Sequence, residues 1–271
     1  MENIILGEQK YFYENKVCKL IHGNSLEVLK NIIPESIDMI FADPPYFLSN
    51  DGISCSGGKM VVVNKGKWDR LGTLPTKLAE KHEFNRAWIG LCRSLLKKDG
   101  SIWISGTMHN IYSVGMALEE EGFKIINNII WQKTNPPPNL ACRCFTHSTE
   151  TILWAQKNDK KSHHFFNYEL MKKLNAGKQM KDVWTGSLTK PSEKVYGKHP
   201  TQKPEYLLER IIQASTLPGN IVLDPFCGSG TTGVVANRQG RDFIGIDFNE
   251  EYLRITKKRL EKEVYGKERF C

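Results

Sequence analysis

No apolar run in these 271 residues approaches the ~20 needed to cross a bilayer, because Lys, Asp or Glu interrupts every candidate. The first ten residues lack an apolar stretch followed by a small-residue cleavage site, so export is not expected and a cytoplasmic location is. Cys-x-x-Cys is also missing. Seven cysteines are scattered as Cys18, Cys55, Cys92, Cys142, Cys144, Cys227 and Cys271, and only Cys142 and Cys144 come close in sequence. That spacing does not build a zinc site, so no metal is expected and free thiols in a reducing compartment are. No internal repeat is visible. What remains is an ordinary globular balance, 40% hydrophobic and 25% charged, which suits one domain over residues 1–271.

The charge is unevenly spread. The net is +8, and residues 156–203 alone hold eleven lysines against Asp159, Glu169, Asp182 and Glu193. Phe165, Phe166, Tyr168, Trp184 and Tyr196 are interleaved there, and lysines with stacking rings fit a nucleic-acid contact. A solvated surface face is the blander alternative. Residues 157–198 are therefore read as a basic insertion that touches DNA, with Lys160, Lys161, Lys172, Lys173 and Trp184 as its contacts, the sequence leaving Trp184 open between a base-stacking ring and a core anchor. Residues 50–78, rich in Gly, Ser and Lys, read as a mobile loop.

Apolar β-rich runs at 36–42, 101–105, 220–223 and 243–246 predict buried strands, and 123–131 with 151–155 predict an antiparallel pair. Helical periodicity covers 84–96, 111–121, 204–215, 231–238 and 250–263. Strands alternating with helices predict an α/β fold, a mostly parallel sheet with helices on both faces.

Two motifs carry the chemistry. In the first, a strand runs through Asp224 into a turn holding Gly228, Ser229, Gly230, Thr231, Thr232 and Gly233, and Asp247 ends the next strand 19 residues after Gly228. This is dinucleotide-binding spacing, with an acidic residue placed to accept from ribose hydroxyls. Asp224 would repel a pyrophosphate but accept from an α-ammonium group, and no Lys follows the glycines as a P-loop requires. A nucleoside with a cationic amino-acid tail suits the turn better. In the second, Asp43-Pro44-Pro45-Tyr46 follows a strand directly. Consecutive prolines fix the backbone at a strand end, where open α/β sheets bind ligands. The Asp43 carboxylate and the Pro44 carbonyl can each accept one N–H of an amino group, and Tyr46 offers a flat ring face.

Together these motifs resemble the beta class of DNA amino-methyltransferases, from the strand before Asp43 to the helix after Asp247. The resemblance implies a Rossmann-like methyltransferase fold, S-adenosyl-L-methionine as cofactor and DNA as partner. It also implies a catalytic role for Asp43, Pro44, Pro45 and Tyr46, and a homodimer, since members of the class often pair. The run from His199 through Thr201 and Lys203 to Pro204 matches the segment that helps hold the methionine carboxylate. Phe226 matches the ring of the adenosyl pocket, Asp247 the ribose acceptor, and Ala42 and Phe248 flank the cofactor. Asn24 stands where the class usually has Asp, near the cofactor's adenine amino group.

An aspartate heading the tetrad points to adenine N6, because cytosine-N4 members more often carry Ser. Residues 41–50, 131–136 and 181–189 further resemble DpnA-type enzymes, the second adenine methylases of GATC-specific restriction–modification systems, which also accept single strands. Three alternatives stay open: cytosine-N4 methylation, RNA as substrate, and a nucleic-acid-binding module that lost catalysis. The Gly-x-Gly spacing alone would also permit a dinucleotide-dependent oxidoreductase.

Overall fold

The strand β3 (Ile37–Ala42) sends Ile40 and Ala42 to one hydrophobic cluster and Met39 and Phe41 to another, and all four are buried. The same alternation recurs in β6 (Leu96–Gly106), β10 (Ile221–Asp224) and β11 (Asp242–Asp247), where Ile102, Leu223 and Ile244 oppose Trp103, Val222 and Phe243. Side chains alternate across a strand, so a strand apolar at every position must be covered on both faces. One face is covered by α1 (Ser25–Val28), α2 (Thr76–Leu95) and α3 (Ile111–Glu120). The other is covered by α5 (Glu205–Ser215), α6 (Thr231–Arg238) and α7 (Glu250–Glu268).

The computed structural model describes residues 4–7, 10–46, 53–56, 59–62, 76–160 and 162–268. With β1 (Tyr13–Asn15), β2 (Cys18–His22), β7 (Phe123–Lys133), β8 (Thr149–Lys157) and β9 (Val183–Gly186), the sheet has nine strands. Their order is β1-β2-β11-β10-β3-β6-β8-β7-β9. The strands β2, β11, β10, β3 and β6 run parallel. The expected pair is the antiparallel hairpin β7–β8, which joins the sheet through β6. The chain leaves β10 toward β11 on one side and β3 toward β6 on the other. The crevice between their carboxyl ends is therefore a topological switch point.

The expected mobile loop at 50–78 falls largely outside the described residues. Within it the structure places a hairpin, β4 (Ile53–Ser56) with β5 (Lys59–Val62), and α2 already begins at Thr76.

The basic segment divides. Its first part stays at the end of the sheet where β6 and β10 begin. Asn158 N–H donates to Gly122, Phe165 N–H to Asp99 and Asn167 N–H to Ala214, at the foot of α5. Lys160 lies here, as do Lys172 and Lys173 in the last turn of α4 (Tyr168–Leu174). Lys161 lies outside the described residues. The second part, after β9, climbs to the opposite end and reaches His199 and Lys203.

Candidate active site

The tetrad sits where sequence placed it, in the residues just past β3. Pro44 and Tyr46 are buried, and the Pro45 carbonyl accepts from Asn110 Nδ2 at 3.4 Å, which ties the turn to the start of α3. Asp43 Oδ1 accepts from the Tyr46 hydroxyl and from Ser105 Oγ at the end of β6. Oδ2 accepts from Lys203 Nζ at 2.6 Å. Burial alone would raise the Asp43 pKa, but the Lys203 charge and these donors outweigh it and hold the carboxylate below its ordinary range. Burial alone would likewise lower Lys203. The Asp43 carboxylate, then the Tyr46 hydroxyl oxygen and the Glu150 carboxylate, outweigh it and keep the ammonium protonated.

Lys203 was expected to face a cofactor carboxylate. The structure places its ammonium on Asp43 instead, 3.2 Å from the Tyr46 hydroxyl and 3.6 Å from Glu150. A buried ammonium is costly unless an anion neutralises it, and Asp43 is the anion in reach. Tyr46 is only 6% exposed but lines the cavity, with Lys203 Nζ 5.5 Å from its ring centroid.

The glycine turn forms the other wall. Gly228 and Gly230 have φ of +51° and +73°, a left-handed conformation that side chains disfavour, and Gly230 caps α6. A Cβ at Gly228 would come 3.0 Å from His199 Nε2, and one at Gly233 would come 2.4 Å from the Phe243 ring. The turn is thus a cradle that only glycine leaves open. Asp224 accepts from Phe226 N–H at 3.0 Å and Thr232 Oγ1 at 2.6 Å, so its carboxylate shapes the turn. Burial, only partly offset by these two bonds, pushes its pKa up to about 7. Asp247 accepts from Gly228 N–H and Asn249 N–H, each at 2.8 Å, and burial raises its pKa too.

Both motifs open into one cavity of about 330 Å³. Asn24, Asp43, Pro44, Pro45, Tyr46, His199, Thr201, Lys203, Asp224, Phe226, Gly228, Ser229, Thr231, Thr232, Asp247 and Phe248 all line it. Ala42 stops short of the cavity as a fully buried end of β3. Asn24 spends one lone pair on capping α1, accepting from Leu26 N–H at 2.9 Å. The Phe226 ring meets Trp88 edge-on at 5.4 Å between centroids, so one flank is fixed by the core.

Of the residues expected to touch DNA, the four that are described do not line this cavity. Trp184 is 6% exposed, donates Nε1–H to the Lys181 carbonyl and carries the Arg210 guanidinium 4.8 Å from its ring. It is a core anchor under β9, not a wedge for bases. Lys160, Lys172 and Lys173 stand at the far end of the sheet. The catalytic end presents other groups: Lys190 and Lys198 are exposed there, as are Arg143 and the 95%-exposed Phe145 of the loop 134–148.

Sequence reading missed Ser105, Glu150, Lys133, Tyr252 and Asn249. Ser105 carried a usable signal, since it ends a strand adjacent to β3. Glu150 and Lys133 carried none, because their meeting depends on the β7–β8 register. Among the described residues, no group of three or more His, Cys, Asp or Glu could hold a metal ion. No described helix is long and apolar enough to cross a membrane.

A family model for N6/N4 DNA methylases matches residues 37–258. The chain is 68% identical over 258 residues to the type II methyltransferase M2.LlaDCHI of Lactococcus lactis subsp. cremoris, covering 95% of this chain and 94% of that one. It is 66% identical over 259 residues to the type II methyltransferase M2.DpnII of Streptococcus pneumoniae, covering 96% and 95%. Among solved structures, the M1.HpyAVI–SAM complex matches with a TM-score of 0.64 and 30% identity over 90% of this chain and 98% of that one. A tetrad and a glycine cradle on neighbouring strands, in a chain matched along most of its length, place this protein in the N6/N4 DNA methylase family.

Proposed function

We propose that this DNA methylase, acting as one domain, transfers a methyl group from S-adenosyl-L-methionine to N6 of adenine. The target is GATC, in single strands as well as duplex, within a restriction–modification system. The observation that carries the chemistry is that Asp43 and the turn residues Gly228 and Ser229 line the same cavity, Gly230 standing behind it as the cap of α6. The target sequence rests on likeness to the DpnA-type enzymes, in keeping with the similarity to M2.DpnII.

The cavity fits the cofactor on its own terms. A Cβ at Gly228 would press on His199 in its wall, Asp247 offers an acceptor at the end of β11 for ribose hydroxyls, and Phe226 presents a ring held from behind. His199 and Thr201 supply a polar side suited to a methionine carboxylate. When bound, the cofactor supplies an electrophilic methyl group on a sulfonium.

This chain's residues make the amino group able to attack. The exocyclic nitrogen of adenine is a poor nucleophile because its lone pair is delocalised into the ring. Acceptance of its two N–H groups by Asp43 and the Pro44 carbonyl favours a tetrahedral nitrogen with an aimed lone pair. Ser105 and Tyr46 hold Oδ1, so the carboxylate stays oriented. DNA approaches from the end of the sheet that carries Asp43, where Arg143, Phe145, Lys190 and Lys198 are exposed. A base already outside a duplex enters more cheaply, by the few kcal/mol of unpairing and unstacking, which favours single strands.

The test incubates the enzyme and cofactor with single- and double-stranded oligonucleotides carrying GATC, GAAC or GTTC, then quantifies modified nucleosides. N6-methyladenine confined to GATC, in both strand states, is expected. Equal methylation of GATC and GAAC would remove the specificity, and N4-methylcytosine would reverse the base.

A further inference from the structure

Behind the tetrad lies a line of four alternating charges. Lys133 Nζ, at the end of β7, is 2.7 Å from Glu150 Oε1 on β8. Glu150 Oε2 is 3.6 Å from Lys203 Nζ, which in turn is 2.6 Å from Asp43 Oδ2. All four side chains are largely out of water, at 10%, 13%, 7% and 14% exposure in that order. The line is electrically balanced, yet one bond is unmade. Glu150 Oε2 is buried without a hydrogen-bond partner, in ion-pair range of Lys203 at 3.6 Å but beyond bonding distance. Meanwhile Asp43 accepts from Tyr46, Ser105 and Lys203, and the Lys203 ammonium also donates to the Tyr46 hydroxyl at 3.2 Å and the Thr201 carbonyl at 3.5 Å.

Lys203 therefore stands between two carboxylates, bonded to one and within a small side-chain shift of the other. We propose that Glu150 is a second seat for the Lys203 ammonium, to which Lys203 moves when the target amino group takes its place at Asp43. This rests on the proposed role of Asp43 as acceptor. A charge-assisted bond from an ammonium withdraws density from Oδ2 and occupies the approach an N–H must use. Transfer to Glu150 frees that approach, keeps the ammonium paired throughout and completes the unmade bond. Lys133 stays on Oε1, so Glu150 never stands unpaired. Glu150 is thus a positioning residue, acting on the substrate only through Lys203.

The test is a double-mutant cycle read in single turnovers with labelled cofactor and a GATC single strand. Glu150→Gln should slow methyl transfer by at least about 10-fold, with cofactor and DNA affinities within about 2-fold of the parent. In a Lys203→Met background the same substitution should cost nothing further, because no ammonium is left to move. Glu150→Asp keeps the charge facing Lys133 but withdraws it from Lys203, and should give an intermediate rate. If Glu150→Gln does not fold, the Asp variant decides, and a parental rate there overturns the proposal. Equal slowing in both backgrounds, or a parental rate in folded Glu150→Gln, also overturns it. In either case, abolition of turnover by Asp43→Ala would leave the acceptor reading standing.

Discussion

At the end of the sheet where β3 and β10 finish, Lys203, Asp43 and Glu150 lie largely out of water, each facing an opposite charge within 3.6 Å. At the other end, Lys160 and Lys173 stand in solvent around the foot of α5. Lys203, Lys160 and Lys173 belong to the same stretch of sequence, and counted together they look like one electrostatic footprint. Folded, they stand at opposite ends of the sheet, and the proposed approach of DNA uses one end only. The lesson is that a charge tally along the chain merges groups that the direction of the strands sets apart.

The sharpest way to break this comparison is at its centre. Asp43→Ala should lower turnover by about 10³-fold, as removal of a preorganised group aimed at the transition state does. Cofactor affinity measured by calorimetry should stay within about 3-fold. Abolished cofactor binding with intact turnover per bound complex would place Asp43 on the wrong side of the cavity. The opposite wall should behave in the reverse manner. Asp247→Ala should weaken cofactor binding roughly 10- to 100-fold, the worth of a charge-assisted bond of about 1.5–3 kcal/mol, and leave single-turnover rates at saturation close to the parent.

The two ends are separated directly by salt. Replacing Lys190 and Lys198 by Gln should flatten the log–log dependence of duplex DNA affinity on salt, by about 0.9 for each phosphate no longer neutralised. Replacing Lys160, Lys172 and Lys173 should leave that slope unchanged. A slope altered only by the second set would restore the whole basic segment to DNA and dissolve the contrast.

The smallest effect concerns stability. Asp224 has its pKa raised from 3.8 to about 7 in the fold. A raised folded-state pKa contributes stability that is complete below the unfolded value and is lost as pH rises through the folded one. Asp224→Asn cannot ionise, so its thermal midpoint relative to the parent should rise between pH 3.8 and pH 7, by roughly 2–4 °C for each kcal/mol recovered. A constant difference across that window would mean the carboxylate is not strained by burial.

Much of this was readable in advance, and the reasons are local. Runs such as 36–42 and 243–246 are apolar at nearly every position, which only a doubly covered strand tolerates. Asp43-Pro44-Pro45-Tyr46 and the glycine turn announce themselves because their backbone demands special residues. What could not be read depends on register. Glu150 reaches Lys133 because Trp131 pairs with Glu150 and Gln132 with Thr149 across β7 and β8. Trp184 gave the wrong signal for a related reason. Interleaved with lysines it looked like a stacking ring, but the parallel pairing of β9 with β7 sets it beside Trp131 and buries it.

The neighbouring strands that carry the two motifs meet late in the chain's own history. Ile221 N–H donates to Asp38 Oδ2 at 2.8 Å across 183 residues, and Met39 pairs with Val222. A pairing of that separation cannot form until most of the polypeptide has left the ribosome, and non-local strand pairing is slow to close even then. A nascent chain thus carries a tetrad without a cradle for most of its synthesis, with the β3 edge that β10 will cover still open. Chains truncated before residue 221 should show that edge as aggregation rather than as weak activity.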